Sequence, residues 1–150
     1  MLQEPIVSEN APHEKRPYSP GLKIGDFIYI SGQLPLDPDT GKIVSEDIRK
    51  QAEQCIANIQ ALLKKAEIDL HCVFRVTVYL KNMDDLDAMD EVYAKFFQKP
   101  YPARTVIGVN ELEDDALIEM ECFAMDTRAL EVLCSEEEEE GDCSGNCCCL

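Results

Sequence analysis

Two glutamates near the end of the chain have a spacing that suits acid–base chemistry. Glu119 and Glu121 are two residues apart in an otherwise apolar stretch, so in a strand both carboxylates lie on the same face. Paired carboxylates can move protons on a bound substrate. The alternative is cross-strand pairing, of Glu121 with Arg75 and of Glu119 with a basic group of another subunit. For Glu121 we favour the pairing with Arg75.

Arg104 is the candidate anchor for a small anion. It follows Pro102 and Ala103 at the start of a predicted strand, where Pro102 restricts the backbone. A guanidinium offers a planar set of donors that matches a carboxylate. The alternative is a structural ion pair, which we favour on residue types alone because the chain holds 30 acidic residues.

Other familiar catalytic patterns are not supported. His13 and His71 lie in predicted loops and assemble neither a metal site nor a catalytic triad. Ser31 and Gly32 lie at the end of a predicted strand, but the surrounding sequence is neither a glycine-rich phosphate loop nor a nucleophile elbow. We therefore expect no metal.

Length and charge limit the function classes further. The 150 residues suffice for one domain, and 30 acidic against 14 basic residues give a net charge of −16. Seven acidic and no basic residues lie in 129–150, which leaves a net charge of −9 for 1–128. Because nucleic-acid binding requires phosphate neutralisation, we expect no nucleic-acid partner. No membrane-spanning run or signal peptide is visible, and we expect a cytoplasmic protein.

The elements that position these residues follow from hydrophobic periodicity and turn signals. Four prolines predict an irregular lead-in over 4–21. The predicted strands cover 22–24, 27–32, 72–80, 105–109 and 117–125. In the third strand we expect a core face of Phe74, Val76, Val78 and Leu80.

Two helices separate the strands. One starts at a Ser45 cap and runs to Ala66, and the other starts at an Asp84 cap and ends before Pro100. The order ββαβαββ predicts an α+β sandwich with the helices on one sheet face. The other face is suited to subunit contact, and would present Tyr29, Arg75, Thr77, Tyr79, Glu119, Glu121 and Phe123.

Eight short motifs occur in an order that is specific to one known family. They are Glu9-Asn10-Ala11-Pro12, Pro17-Tyr18-Ser19-Pro20, Ile28-Tyr29-Ile30-Ser31-Gly32-Gln33, Asp37 to Gly41, Val92-Tyr93, Phe96-Phe97, Pro102-Ala103-Arg104 and Ile118-Glu119-Met120. Over about residues 8–126 the chain resembles the RidA type of reactive-intermediate (enamine/imine) deaminases. This family is also called the YjgF family or the L-PSP endoribonucleases.

The resemblance implies a fold, an assembly and a reaction. The fold is a chorismate-mutase-like α+β sandwich, and the assembly is a homotrimer whose sheets form a central barrel with active sites in clefts between subunits. The reaction is the cofactor-independent hydrolysis of reactive 2-enamino or 2-imino acids, such as 2-aminoacrylate, to 2-keto acids and ammonia. Two alternatives stay open: an endoribonuclease that inhibits translation, and a non-catalytic metabolite-binding protein or chaperone.

The resemblance also implies roles for individual residues. Arg104 would bind the carboxylate of a small substrate, and Glu119 would place and deprotonate the attacking water. Tyr18, Ser31 and Gly32 would line the pocket. Asp90 departs from the family pattern, which commonly has Asn there. We expect Asp90 at the pocket margin, where it would repel an anionic ligand or raise the pKa of Glu119.

The chain divides into a deaminase-like domain, 1–128, and an acidic, cysteine-rich tail, 129–150, that we expect to be disordered. The terminal Cys147-Cys148-Cys149-Leu150 loosely resembles a prenylation signal or a palmitoylation cluster. The alternative is an unmodified, oxidisable tail. We expect membrane contact only if these cysteines are lipidated.

Overall fold

The protein forms a mixed sheet with two helices packed against it. The computed structural model describes residues 2–9, 11 and 16–128, so the predictions for the tail and for His13 lie outside the described residues. The strands are β1 Gln3–Ile6, β2 Gly21–Ile24, β3 Phe27–Gln33, β4 Val73–Leu80, β5 Ala103–Gly108 and β6 Ile118–Met125. The helices are α1 Ile48–Lys65 and α2 Leu86–Phe96. The predicted α+β class is confirmed.

The strand order places the crossover connections. The sheet runs β1-β2-β3-β6-β4-β5, with β4 and β5 parallel and the other neighbours antiparallel. Helix α2 connects the parallel pair, as a crossover between parallel strands requires. Every second residue of β6 is buried, and these residues join the buried side chains of α1 in one core. Neither helix in the described part of the chain is long and apolar enough to cross a membrane.

The start of the chain differs from the prediction. The lead-in 4–21 was expected to be irregular throughout, but Gln3–Ile6 pairs antiparallel with β2. Pro5 lies opposite Leu22 within this pair. Strand β1 is at the sheet edge, where a proline can be accommodated because its missing N–H need not face a second neighbour.

Both predicted helix caps are also wrong, by two residues for α1 and by one residue for α2, whose N-cap is Asp85. Helix α1 is capped by Asp47, whose Oδ1 accepts a hydrogen bond from the Arg49 amide at 2.7 Å. Ser45 instead accepts from the Asp47 amide at 3.1 Å and so shapes the turn before the cap. Asp84 lies in a 3₁₀ turn before α2 begins, and its backbone amide donates a hydrogen bond to Oδ1 of Asn82. Aspartate and asparagine compete with serine for these positions.

The predicted core face of β4 is correct except at Phe74. The pairing of β4 with β6 shifts register between Val73 and Arg75. Val73 is consequently buried, whereas Phe74 is 46% exposed and its ring lies 6.5 Å from that of Phe123. A bulge of this kind reverses the alternation locally, and nothing in the side-chain pattern reports it.

A buried amide ties α1 to the loop after β3. The Asn58 side chain donates to the carbonyl oxygens of Leu34 and Leu36, at 3.0 and 3.1 Å. Asn58→Ala is expected to lower the free energy of unfolding by about 2–3 kcal/mol, because it leaves buried acceptors without their donor. Gln60→Ala, at an exposed position of α1, should change it by less than about 0.5 kcal/mol. Urea denaturation measures both; equal effects would contradict this account of the amide.

Candidate active site

Arg104 lies on the helix-covered side of the sheet. It is the second residue of the edge strand β5 and is opposite Val76 of β4. Its Nη1 donates to Oδ1 of Asp90, on α2, at 2.6 Å, and the Arg104 and Asp90 side chains are 26% and 44% exposed. Arg104 therefore forms an ion pair with Asp90. One nitrogen is used, and a guanidinium has five N–H donors in all.

A cavity of about 340 Å³ lies beside this ion pair. Its lining residues come from α2, from the segment before β5 and from β5 itself: Asp90, Tyr93, Ala94, Tyr101, Pro102 and Arg104. The volume lies at the lower end of the range for small-molecule sites. The arginine thus lies beside a half-open cavity that a small anionic ligand can enter.

Tyr93 forms the floor under Arg104. The guanidinium carbon is 4.7 Å from the centroid of the Tyr93 ring, a cation–π distance, and the ring stacks on Phe97 at 4.3 Å. Burial raises the pKa of Tyr93 to about 12, so the hydroxyl keeps its proton. That hydroxyl has no hydrogen-bond partner among the described residues. The sequence placed Tyr93 in a family motif but gave it no role in the pocket; its spacing of three from Asp90 was the available signal.

The other expected pocket residues gather around a bulge in β3. The pairing of β3 with β6 shifts register between Ile30 and Gln33, which places the irregularity at Ser31 and Gly32. Ser31 Oγ donates to the Ser19 carbonyl at 2.6 Å. This bond holds the segment of the neighbouring Tyr18, a residue 45% exposed, against the strand.

Glu119 packs directly over Gly32. A methyl group on Gly32 would lie 1.9 Å from Oε1 of Glu119, so only glycine leaves space for the carboxylate there. Burial, with smaller contributions from the charges of Glu113 and Glu121, raises the pKa of Glu119 above its ordinary value of 4.5. A partly desolvated carboxylate is a stronger proton acceptor than one in water, as a general base requires.

The expected pair of Glu121 with Arg75 is not formed, and that prediction is wrong. The register places Arg75 opposite Phe123 and Glu121 opposite Thr77. The Arg75 guanidinium lies 5.9 Å from the Phe123 ring centroid, and Glu121 accepts a hydrogen bond from the Tyr79 hydroxyl at 3.3 Å.

The chain holds two part-sites that lie on opposite sheet faces. Arg104 shares a face with Val76 and Cys122, which are in the core, whereas Glu119 lies opposite Tyr79 on the uncovered face. Arg104 and Glu119 are separated by two strand spacings across the sheet and by three residues along the strands. This separation corresponds to roughly 14 Å between their Cα atoms. A single chain therefore does not bring the guanidinium and the carboxylate to one small substrate.

The described residues contain no group of three or more histidine, cysteine, aspartate or glutamate side chains placed to hold a metal ion. His71 forms an exposed pair with Asp69, 3.1 Å from Nδ1 to Oδ1. The described cysteines, Cys55, Cys72 and Cys122, are free thiols.

The chain is similar to one protein family over most of its length. The family model described as Endoribonuclease L-PSP matches residues 8–126. A RutC family protein of Pyrococcus abyssi is 46% identical over 124 residues, which cover 83% of this chain and 98% of that protein. Reactive Intermediate Deaminase A, chloroplastic, of Arabidopsis thaliana is 38% identical over 83% of this chain and 66% of that protein.

A solved structure of the same family has a similar fold. A Rid family protein of Yersinia pestis superposes with a TM-score of 0.80 at 34% identity, covering 82% of this chain and 98% of that one. The residues matched by the family model include the β3 bulge and Arg104 of this chain. The chain therefore belongs to the L-PSP family, which includes the RidA and RutC proteins.

Proposed function

We propose that this protein hydrolyses reactive 2-imino and 2-enamino acids to 2-keto acids and ammonia. The main support for the proposal is the Arg104 guanidinium. It lines a small cavity, and only its Nη1 donates a hydrogen bond to a described residue. A family relative named as a reactive-intermediate deaminase supports the reaction class.

The reaction needs a second subunit to complete the site. We propose a homotrimer in which the Arg104 part-site of one chain meets the Glu119 part-site of its neighbour, with the sheets forming a central barrel. The uncovered sheet face supports this assembly because it carries an aromatic patch, formed by Phe27, Tyr29, Phe74 and Phe123. Exposed aromatic groups of this kind are typical of subunit interfaces.

Each part-site then has a defined role. Arg104 binds the substrate carboxylate, and the Tyr93 ring holds the guanidinium in place. Glu119 takes a proton from water as the water oxygen attacks the imine carbon, and it passes this proton to the imine nitrogen, which gives a carbinolamine. The carbinolamine hydroxyl then loses its proton through Glu119 to the amino group, and ammonia leaves as the C–N bond breaks and the C=O bond of the 2-keto acid forms. Tyr18 and Ser31 shape the pocket wall. These steps use only side chains and water.

The reaction can be followed in a coupled assay. An amino-acid oxidase generates the imino acid, and semicarbazide traps what is not hydrolysed. Added protein is expected to suppress semicarbazone formation while 2-keto acid and ammonia accumulate, and Arg104→Ala protein should not. Unchanged semicarbazone formation with folded wild-type protein would leave a non-catalytic metabolite binder or chaperone as the explanation.

The competing activity is RNA cleavage, which the family description names. The charge of −9 on residues 1–128 disfavours it, because a polyanion is repelled. Incubation of the same protein with single-stranded RNA is expected to leave the RNA intact. Cleavage that Arg104→Ala abolishes would favour the nuclease instead.

Free thiols are typical of a reducing compartment, and we propose the cytoplasm.

The contact of Glu119 with Gly32 provides a test of the second part-site. Gly32→Ala is expected to lower kcat for imine hydrolysis about tenfold to a hundredfold, because the methyl group displaces the Glu119 carboxylate. The melting temperature should change little, since the end of the glutamate side chain can move. Gly108→Ala, where the new methyl meets only the Met83 side chain, is the control. Normal kcat in Gly32→Ala would remove Glu119 from its proposed place.

A further inference from the structure

The cavity beside Arg104 carries both signs of charge. Asp90 uses Oδ1 to accept from Arg104, and Oδ2 makes no hydrogen bond with any described residue. The other residues that line the cavity are uncharged. The neighbouring Glu91 is engaged elsewhere, by Arg49 at 2.8 Å. The cavity therefore holds one cation and one anion side by side, with net charge near zero.

This arrangement changes which ligands the cavity favours. A ligand with a single negative charge meets an arginine whose charge Asp90 already balances, and binding it leaves two carboxylates around one guanidinium. A ligand with a carboxylate and a separate cationic group can pair with Arg104 and Asp90 at once. Coulomb interaction thus favours the second kind of ligand over the first.

We propose that Asp90 determines substrate specificity, directing the site toward 2-imino acids whose side chain carries a second, cationic group. Such compounds arise from oxidation of basic amino acids. The cavity volume of about 340 Å³ accommodates a side chain of this length beside the carboxylate. This inference rests on the proposed deaminase function and adds the substrate class.

The test uses two substrates that differ in charge and closely match in shape. Imino acids generated from arginine and from citrulline carry a guanidinium and a neutral urea group, respectively, on the same carbon chain. With each, the partition of the imine between hydrolysis and semicarbazide trapping gives a relative kcat/KM. Wild-type protein is expected to favour the arginine-derived imine more than Asp90→Asn protein does, by about fivefold in the ratio. Intrinsic differences in trapping cancel in this comparison.

Glu91→Gln is the matched control, since it removes the same charge one residue away without altering the cavity lining. It should keep the wild-type ratio. An equal ratio in wild-type and Asp90→Asn proteins, with both hydrolysing the citrulline-derived imine, would overturn the specificity proposal and leave the deaminase proposal standing. No hydrolysis of either imine by a wild-type protein that hydrolyses the imine generated from alanine would also overturn the specificity proposal alone, whereas no hydrolysis of any of the three imines would refute both proposals.

Discussion

Arg104→Ala is expected to lower kcat/KM for imine hydrolysis about a hundredfold to a thousandfold, because the substrate carboxylate loses its charge-assisted donors. Arg104→Lys should recover only part of this loss, since an ammonium cannot present two parallel donors or stack as well on Tyr93. Steady-state kinetics in the trapping assay, with the imine concentration varied, measures both variants.

The control for this change is Arg49→Ala. Arg49 pairs with Glu91 on the exposed side of α2, so its removal deletes an ion pair to the same helix away from the cavity. It should leave kcat/KM within about twofold of wild type. If Arg104→Ala were also that close to wild type, the guanidinium would have only the structural role that its bond to Asp90 provides.

Glu119→Gln is expected to lower kcat about a hundredfold or more, with a smaller effect on KM, because the amide cannot take the proton from water. The pH dependence of kcat tests the same role of Glu119. Glu119 must be ionised to act as a base, so kcat falls as the pH drops through its pKa. Since burial and neighbouring carboxylates raise that pKa, the fall is expected above the ordinary value of 4.5.

Glu121→Gln provides the matched change. It removes one of the negative charges that raise the pKa of Glu119, so the acid limb should shift to lower pH while the plateau stays close to wild type. A limb that persists unchanged in Glu119→Gln protein would mean that another group titrates, and that Glu119 is not the base.

Much of the fold was predictable because hydrophobic alternation is strong in its central elements. The buried residues of β6 alternate without interruption, and the apolar positions of α1 recur at helical spacing. The wrong predictions concern positions whose environment depends on how the strands pair. Pro5 lies in a strand because it is at an edge, and Phe74 is exposed because of a register shift. Neither feature has a local signature.

The candidate site was predictable in its members more than in its geometry. Residue types and family resemblance together singled out Arg104 and Glu119. The contact of Arg104 with Asp90 depends on how α2 crosses β5, and the contact of Glu119 with Gly32 depends on the bulge in β3. Both are long-range features that spacing along the chain does not encode. Tyr93 was missed for the same reason, since its role appears only once Arg104 lies over its ring.

The central claim is that Arg104 of one subunit and Glu119 of another complete each active site. Mixing of Arg104→Ala and Glu119→Gln chains, by co-refolding at equal concentration, tests this directly. In a randomly assembled ring about one quarter of the sites then combine both intact residues, so the mixture should regain about one quarter of wild-type activity although each parent is inactive. A mixture that forms hybrid oligomers yet stays as inactive as its parents would show that the two part-sites do not meet across the interface.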